Sequence, residues 1–317
     1  MKQLTRKQTA EFLNEKDNFV ILTHRRPDGD TLGSAALLCR GLRKLGKTAH
    51  ILRNPEITEK YAHLHQGLTT EQVSDGDVLV AVDTASRGML PEAFSQYADR
   101  ITLRIDHHAT ADSFTDYELV DGETAACGEL VADVLMLIST GHFDKPMANA
   151  LYTAISTDTG CFRYANTTAK TLEKAAYCAY ISDELHAINQ ALFSTRSLGR
   201  VRLESWLIEH MLFLQEGKVA ICALPKSVEE ELHLTEDDLE NISGFPRSIE
   251  GVKIAATIRE DGENRVKISL RAAPGYDAGA ICAQFGGGGH RGAAGASMTC
   301  SMDEAVEKIK SAIEVIF

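Results

Sequence analysis

Short apolar runs, several of them closed by an acidic or imidazole side chain, recur through the first half of the chain and restrict its fold more than any other feature. Helical patterns separate these runs, the first being TLGSAALLCRGLRKLG. The runs are NFVILT (18–23), KTAHILR (47–53), DVLVAVD (77–83) and ITLRID (101–106). Strands that alternate with helices form a parallel sheet with helices on its faces. We therefore predict an α/β fold whose N-terminal domain has a parallel sheet flanked by helices.

The second half follows a different pattern. LFLQEGKVAICAL (212–224) and GVKIAATIREDGENRVKISLR (251–271) each place a Glu-Gly or Asp-Gly turn between apolar runs, which predicts two antiparallel hairpins. A glycine-rich stretch and a last helix over 302–317 complete a smaller C-terminal α+β domain. Since 317 residues correspond to about two domains of roughly 150 residues, we expect three segments: a first domain over 1–190, a helical linker over 191–211 and a second domain over 212–317.

Charge and cysteine content limit the partners. Lys and Arg total 33 against 45 for Asp and Glu, a formal net charge of −12, whereas affinity for duplex nucleic acid comes from excess cations. We therefore expect no duplex nucleic acid as a partner, although metal ions could still recruit small anions. The sequence shows neither a membrane-spanning apolar run nor an apolar signal segment. Seven scattered cysteines without a CxxC pair argue against a disulfide framework, so a cytoplasmic protein without a membrane partner is expected.

Acidic and imidazole side chains cluster where the predicted strands end, and one more aspartate follows a helical run in ISTDTG. These residues are His24, Asp28, Asp30, Asp83, Asp106, His107, His108 and Asp158. The loops beyond the carboxyl ends of parallel strands share one edge of the sheet, where ligands bind. Several carboxylates in one cleft repel one another unless cations neutralise them. Carboxylates mixed with imidazoles suit Mn²⁺, Fe²⁺ or Zn²⁺ better than Ca²⁺, and one aspartate can bridge two such ions, the usual geometry for phosphoester hydrolysis.

Each of these residues has an ordinary structural interpretation when it is considered alone. A strand-end aspartate is more often a helix cap or a turn residue, and DGDT fits a helix start with Asp30 as the cap. A His-His pair is more often found at the surface or in a satisfied core. The joint occurrence of these residues at successive strand ends is much harder to obtain by chance, and it favours a metal site.

The second domain carries the motif GGGGHRGAAGA (286–296). Consecutive glycines let several backbone N–H groups approach one anion, and His290 and Arg291 can supply charge or hydrogen bonds beside it. Arg271, which closes a predicted strand, could bind a phosphate bidentately. The alternatives are a flexible turn for the glycines and a solvated strand end for Arg271.

Together these motifs resemble those of a known family. VILTHRRPDGDTLGSA, VAVDTA, IDHH and ISTDTGCFRYANTT resemble the successive motifs of the DHH phosphoesterase superfamily, and GGGGHRGAAGA resembles its DHHA1 domain. The two-domain layout is similar to the NrnA-type branch, nano-RNases that often also dephosphorylate 3′-phosphoadenosine 5′-phosphate (pAp). The chain is too short for RecJ-type nucleases with an added OB domain, and GGGGH separates it from family II pyrophosphatases.

The resemblance implies a DHH catalytic, metal-binding domain and a DHHA1 substrate-binding domain with a cleft between them. It also implies two Mn²⁺ ions per chain, for which Mg²⁺, Co²⁺ or Fe²⁺ could substitute. One ion would be held by His24, Asp28 and Asp83, and the other by Asp30, Asp83, His107 and Asp158.

Further roles are implied for residues beside the metal ligands. Asp106 would orient His107, and His108 would face the substrate phosphate. The other end of the nucleotide would be bound by Arg271, Gly287, Gly288, Gly289 and His290. Ala272 departs from the motif, because many relatives have a polar Ser at this place after the arginine.

The function that the resemblance implies is Mn-dependent hydrolysis of short oligonucleotides, with pAp as a further substrate. A phosphodiesterase for cyclic dinucleotides or the linear dinucleotide pApA is the alternative among hydrolases. A catalytically retired nucleotide-binding protein is the alternative from another class, and the intact set of metal-ligand residues argues against it. The expected partners are short oligonucleotides or small nucleotide phosphates, and the resemblance implies a homodimer.

Overall fold

The computed structural model describes residues 1–108, 112–138 and 142–316. The chain forms two compact units, Met1–Thr195 and Arg196–Phe317. Each unit has its own sheet and its own buried apolar core.

The first unit is built on a seven-stranded sheet. Its strands are β1 (Lys2–Gln3), β2 (Phe19–Leu22), β3 (Ala49–Leu52), β4 (Thr69–Thr70), β5 (Val78–Val82), β6 (Ile101–Asp106) and β7 (Tyr117–Val120). They lie in the order β1-β7-β6-β5-β2-β3-β4, and every neighbouring pair is parallel. The four apolar runs form β2, β3, β5 and β6, which confirms the predicted parallel sheet. The sequence pattern does not predict β1 and β4, because two residues are too few to show an alternation.

Seven α-helices belong to the described part of this unit. Helices α1 to α7 are Arg6–Glu15, Gly29–Lys44, Glu59–His65, Cys127–Ile138, Lys145–Asp158, Ala169–Ile181 and Leu185–Asn189, in that order. Two 3₁₀ helices, Arg87–Met89 and Glu92–Arg100, and a π-helical turn, Gln190–Ser194, complete it. Side-chain caps fix where helices begin: Asp144 accepts a hydrogen bond from the backbone N–H of Met147 and so starts α5.

The two faces of this sheet are covered differently. Phe19 and Ile21 of β2 belong to the larger core, together with residues of α2, α4 and α5. Val20 and Leu22 point to the opposite face, because side chains alternate along a strand, and they share a smaller core with Phe94 of a 3₁₀ helix. Short 3₁₀ helices therefore cover the second face, where the alternation of strands and helices leads one to expect α-helices.

The order of the strands reverses between β2 and β5. From β2 the sheet continues through β3 and β4 on one side, and the chain then returns to β5 on the other side and goes on to β6 and β7. Ligands of open α/β sheets bind beyond the carboxyl ends of the strands at such a reversal. His24 follows β2 and Asp83 follows β5, so both residues lie at this point of the fold.

The second unit contains a six-stranded mixed sheet. Its strands are β8 (Leu212–Leu214), β9 (Val219–Leu224), β10 (Ile254–Glu260), β11 (Val266–Ala272), β12 (Gly288–Gly289) and β13 (Ala293–Met298), in the order β12-β13-β11-β10-β9-β8. β8 pairs antiparallel with β9, and β10 with β11, so both predicted hairpins are confirmed. β9 and β10 are parallel, which no turn signal reveals because a long helical connection joins them.

Helices α8 to α12 are Leu198–His210, Lys226–Glu231, Glu236–Leu239, Ala278–Ala283 and Met302–Glu314. Three 3₁₀ turns accompany them, Gln215–Gly217, Ile242–Gly244 and Pro246–Ser248. The last helix is amphipathic, and Ala305, Ile309 and Ile313 on its buried face join the core of the sheet. The predicted α+β class of this unit is thus confirmed. Within the described segments no helix is long and apolar enough to span a bilayer, and all seven cysteines are free thiols.

Candidate functional site

His24 occupies the loop directly after β2 and is 6% exposed. Its Nδ1 lies 2.8 Å from the carbonyl oxygen of Arg25, a hydrogen bond that turns Nε2 towards the site. Nε2 lies 3.6 Å from Asp28 Oδ1 and 3.5 Å from Asp83 Oδ2. The loop after β2 and the loop after β5 therefore meet, as their positions at the strand reversal require.

Asp28 is the N-cap of helix α2. Its Oδ1 accepts hydrogen bonds from the backbone N–H groups two and three residues later, at 3.0 and 3.2 Å. The cap is therefore Asp28, not Asp30 as the helix-start interpretation of DGDT has it. Gly29 follows the cap and packs against helix α5, where an added Cβ would lie 2.4 Å from Thr157 Cγ2. This close approach brings the start of α2 to the end of α5, the position of Asp158.

Asp30 is fully buried and is held by the start of helix α4. Its Oδ2 accepts a hydrogen bond from the backbone N–H of Cys127 at 2.6 Å, and its Oδ1 accepts one from Gly128 at 3.0 Å. The hydroxyl of Ser34 donates to Oδ1 at 3.0 Å. N–H groups at a helix start carry partial positive charge and stabilise an anion. The sequence analysis missed these anchors, because a backbone amide from a distant helix leaves no local pattern.

Asp83 is the central carboxylate of the site. It is 2% exposed and has a left-handed φ of 52°, a backbone conformation that aspartate tolerates better than most residues. Its Oδ2 faces His24, and its Oδ1 lies 3.4 Å from His107 Nε2. Within the described residues the buried Oδ1 has no hydrogen-bond partner. An anionic oxygen in this state is open to a cation.

His107 lies just beyond β6, and its Nδ1 is 3.2 Å from the carbonyl oxygen of Thr124. That contact directs Nε2 at three carboxylates. The distances from Nε2 are 3.4 Å to Asp83, 3.5 Å to Asp158 and 3.7 Å to Asp30. Asp158 is the last residue of α5, so strand ends and a helix end contribute to the same cluster.

Asp106 ends β6 with a fully buried side chain. Its Oδ1 lies 2.7 Å from His108 Nδ1 and accepts the backbone N–H of His107 at 2.9 Å. The expectation that Asp106 orients the His107 ring therefore differs from the structure: Asp106 holds the ring of His108, and the Thr124 carbonyl orients His107. The side chain of His108 is 35% exposed, compared with 13% for that of His107, so solvent reaches His108 more easily than its neighbour.

Arg104 is a buried cation behind the site that the sequence analysis did not single out. It is 1% exposed, donates to the carbonyl oxygen of Ala85 at 2.9 Å and pairs with Glu118 at 3.0 Å. Its Nη1 lies 3.7 Å from Asp106 Oδ2. An arginine inside the apolar run ITLRID, two residues before Asp106, is the signal that could have revealed it. Arg104 ties β6 to the loop that follows Asp83.

The charges of the site influence one another strongly. Burial raises the pKa of Asp30, and the carboxylates of Asp83 and Asp158 raise it further. Burial also raises the pKa of Asp158 to about 7. Burial acts in the opposite direction on His107, but the neighbouring carboxylates of Asp83, Asp30 and Asp158 raise its pKa to about 11. Buried anions that draw protons onto neighbouring imidazoles form a site in which a metal cation can replace those protons.

The donor set fits divalent metal ions. Three groups have ligand atoms within 4.8 Å of one another, and they are His24, Asp28 and Asp83; Asp83, His107 and His108; and Asp30, His107 and Asp158. All six predicted metal-ligand residues are thus brought together, and Asp83 belongs to two groups. Imidazoles mixed with carboxylates suit first-row transition metals. The unpartnered Oδ1 of Asp83 is an independent sign that the site accommodates a cation.

The glycine motif forms the edge of the sheet in the second unit. Strand β12 of the motif pairs with β13. An added Cβ would lie 2.2 Å from the carbonyl oxygen of Gly295 if it were placed on Gly287, and 2.6 Å from that of Ala293 on Gly289. Close approach of two backbone segments therefore requires glycine here, and a merely flexible turn does not describe the segment.

Arg271 and His290 lie near each other at one end of β13. Arg271 is opposite Ala293 in the β11–β13 register, and the carbonyl oxygen of Ala293 accepts the backbone N–H of His290 at 2.8 Å. His290 and Arg291 are exposed, and Arg291 Nε lies 3.4 Å from Asp277. The half-buried Arg271 is therefore placed beside the glycine motif.

Residues 18–155 match the DHH family, N-terminal domain, and residues 216–316 match the DHHA1 domain. The chain belongs to the family of DHH phosphoesterases that carry a DHHA1 domain. Individual relatives within this family narrow the comparison further.

A bifunctional oligoribonuclease and PAP phosphatase NrnA of Thermus thermophilus is 32% identical over 300 residues, which are 92% of this chain and 88% of that protein. The cyclic-di-AMP phosphodiesterase GdpP of Bacillus subtilis is 25% identical, and the match covers 97% of this chain but 49% of that protein. An exopolyphosphatase-related protein from Bacteroides fragilis has a similar structure, with a TM-score of 0.82, 25% identity and coverage of 98% and 95% of the two chains. The chain is thus similar to NrnA proteins over nearly its whole length.

Proposed function

We propose that this protein is a Mn²⁺-dependent phosphoesterase that uses two metal ions to hydrolyse short oligonucleotides and pAp. The observation that carries the proposal is the position of Asp83 at the strand reversal: it is a buried carboxylate with one oxygen 3.5 Å from His24 Nε2 and the other 3.4 Å from His107 Nε2. The similarity to NrnA from Thermus thermophilus supports the substrate class.

One set of residues would hold each ion. His24, Asp28 and Asp83 would hold the first. Asp30, His107 and Asp158 would hold the second, together with Asp83, whose Oδ1 lies 3.4 Å from His107 Nε2. When bound, the two ions supply positive charge at the phosphoryl group and lower the pKa of the attacking water. Mn²⁺ is proposed because imidazole nitrogens favour it over Mg²⁺, which prefers oxygen ligands.

The chain's own residues prepare this site for reaction. The amides at the start of α4 hold Asp30, and the Thr124 carbonyl holds the His107 ring, so neither side chain has to reorganise. The hydrogen bond to Asp106 raises the pKa of His108. A protonated His108 has one N–H on Asp106 and directs its Nε2–H outward, where it can donate to a phosphoryl oxygen.

We assign catalysis to a domain over 1–190 and substrate binding to one over 212–317, with a linker over 191–211. In the second domain Arg271, His290, Arg291 and the motif glycines Gly287, Gly288 and Gly289 would bind a phosphate or sugar of the nucleotide. Free cysteines throughout support a reducing compartment such as the cytoplasm.

The test is turnover by protein freed of metal with a chelator. Added Mn²⁺ should restore hydrolysis of a diribonucleotide and of pAp, whereas Mg²⁺ alone should restore little. Full recovery of hydrolysis with Mg²⁺ and none with Mn²⁺ would contradict the assignment of His24 and His107 as metal ligands. A protein that binds metal but hydrolyses no nucleotide substrate would be a retired enzyme, and the proposal would be wrong.

A second candidate function, hydrolysis of cyclic dinucleotides or pApA, is supported by the similarity to GdpP of Bacillus subtilis. The same preparation should be given pAp, pApA, cyclic di-AMP and RNAs of two to seven residues side by side. A kcat/KM for cyclic di-AMP above those of the linear substrates would favour the second function.

A further inference from the structure

Tyr164 is an unusually exposed aromatic residue in the loop that follows Asp158, a predicted metal-ligand residue. Six of the eight tyrosines are buried or half-buried, whereas Tyr164 and Tyr180 have 57% and 91% of their surface exposed. Tyr164 follows Asp158 by six residues, in the loop between α5 and α6. Across the described parts of the chain its hydroxyl makes no hydrogen bond, so the ring is not held in place by its polar end.

The ring of Tyr164 rests on Gly160. A Cβ added to Gly160 would lie 2.3 Å from Cζ, 2.5 Å from Cε1 and 2.6 Å from Cε2 of this ring. Three ring atoms at nearly equal distances mean that one face of the ring lies across the glycine. Since 57% of the residue remains exposed, the contact with Gly160 leaves much of its surface accessible to a ligand.

The backbone at and after Gly160, against which the ring packs, is strained. Gly160, Cys161 and Phe162 have φ angles of 56°, 57° and 63°, and two of these left-handed residues carry side chains, for which the conformation is unfavourable. The backbone N–H groups of Arg163 and Tyr164 both donate to the carbonyl oxygen of Thr159, each at 3.0 Å. A strained backbone conformation persists only where the surrounding structure holds it in place, and such residues are found most often at functional sites.

Hydrogen bonds also tie this loop to the metal centre. Nδ2 of Asn166 donates to the carbonyl oxygens of Asp158 and Ala125, each at 3.2 Å. Arg163 Nε donates to the carbonyl oxygen of Gly160 at 2.6 Å. Gly160 is two residues from Asp158, a separation of at most about 7 Å along an extended chain. The loop that carries Tyr164 is therefore anchored to the backbone of Asp158, one of the predicted metal-ligand residues.

Resting on the phosphoesterase function proposed above, we propose that Tyr164 is a stacking platform for a nucleobase of the substrate. An open aromatic face accepts any base, because every base presents a π-face, and it discriminates little between sequences. The metal centre would engage the phosphate while the ring engages the base attached to the neighbouring sugar. Tyr164 would thus favour nucleotide substrates over simple phosphate esters.

The first test compares the diribonucleotide ApA with an abasic analogue that keeps both riboses and the phosphate. Tyr164→Leu should raise the KM for ApA about tenfold, in line with the stacking energy of one base, and leave the KM for the abasic analogue unchanged. Tyr164→Phe keeps the ring and should stay within about twofold of the parent protein. Tyr180→Leu, at the other exposed tyrosine, is the matched control and should change neither value.

Two results would overturn the platform. An unchanged KM for ApA in Tyr164→Leu would exclude stacking, and an equal rise for the abasic analogue would show that the ring only supports the loop. A second measurement does not depend on turnover: quenching of 2-aminopurine ribonucleoside 5′-monophosphate fluorescence by the parent protein should be lost in Tyr164→Leu. Base-dependent quenching by a protein that hydrolyses no oligonucleotide would refute the proposed function and not the platform, whereas turnover without any effect of Tyr164 would refute the platform alone.

Discussion

At the scale of the residue, the site depends on single side chains whose surroundings decide their chemistry. Asp83 is the clearest case: its two oxygens face different imidazoles, 3.5 Å from His24 and 3.4 Å from His107. His108 is also set by its neighbour, since Asp106 holds one of its nitrogens. Substitutions at such positions should change activity without changing the fold.

Asp83→Asn should lower kcat at least a hundredfold, because in the proposed site it is the bridging carboxylate: without one anionic oxygen, the site would lose an ion or the spacing of the two ions. The measurement is kcat on a diribonucleotide at saturating Mn²⁺, with thermal unfolding to verify that the variant is folded. Asp116→Asn, at an exposed aspartate, is the control. A folded Asp83→Asn variant with near-parental kcat would exclude the bridging role.

Arg271→Ala should act mainly on KM. Loss of a charge-assisted hydrogen bond to phosphate costs about 1.5–3 kcal/mol, or roughly ten- to a hundredfold. His107→Ala should instead lower kcat, because its nitrogen is a metal ligand in the proposed site. Steady-state kinetics on pAp and on a diribonucleotide separate the two effects, with exposed Arg202→Ala as the control. An unchanged KM for Arg271→Ala on every substrate would rule out the second domain's proposed role in binding.

His65 makes stability depend on pH. Burial lowers its pKa to about 4, although Nε2 lies 3.1 Å from the carbonyl oxygen of Leu32 and this contact acts in the opposite direction. Nδ1 is buried and has no hydrogen-bond partner among the described residues. The unfolded chain binds the proton more readily, so this stability is complete above about pH 6.5 and is lost as pH falls towards 4.

The expected loss between pH 7.5 and pH 5 is about 2 kcal/mol in the free energy of unfolding. Urea denaturation of the parent protein and of His65→Gln at both pH values measures it, and the difference between the two proteins removes the titration of every other group. Equal pH dependence in both proteins would show that His65 does not carry the effect.

At the scale of the element, helix starts position the carboxylates. Asp28 caps α2, and the first amides of α4 hold Asp30. Gly128 permits the second contact, since an added Cβ would lie 2.5 Å from Ala154 Cβ on α5. Three helices therefore converge on one buried carboxylate.

Gly128→Ala should destabilise the protein and weaken its metal binding, although alanine is the better helix former. Overpacking of this kind costs about 1–3 kcal/mol, and it should displace the amides from Asp30. Urea denaturation and calorimetric Mn²⁺ titration are the measurements. Gly76→Ala is the control, because nothing lies within 4 Å of its added Cβ. Unchanged stability and Mn²⁺ affinity would show that α4 has room to shift.

At the scale of the whole molecule, net charge should limit the length of the substrate. A surface of net charge −12 offers no overall excess of cations of the kind that proteins use to hold long single strands. The initial rate should therefore fall as RNA is lengthened from two to about twenty-four residues, and the fall should be smaller at high salt because repulsion is screened. A rate that rises with length would indicate a processive nuclease instead.

The sequence by itself determined the parallel sheet and the two hairpins, and it predicted six metal-ligand residues that the structure brings together. These features follow from local patterns. Apolar runs define the strands, and the parallel topology places the residues that follow them, such as His24 after β2 and Asp83 after β5, at one edge of the sheet. The cluster of acidic and imidazole residues could therefore be predicted from the strand ends, and the resemblance to the DHH family implied which six of them would bind metal.

Only the tertiary structure decided how those residues are held. The amides of Cys127 and Gly128 on Asp30, the ion pair of Arg104 with Glu118 and the seat of Tyr164 on Gly160 leave no periodic signal in the sequence. The same is true of the parallel pairing of β9 with β10. Such contacts depend on backbone direction and on the packing of one element against another, which hydrophobic periodicity does not encode.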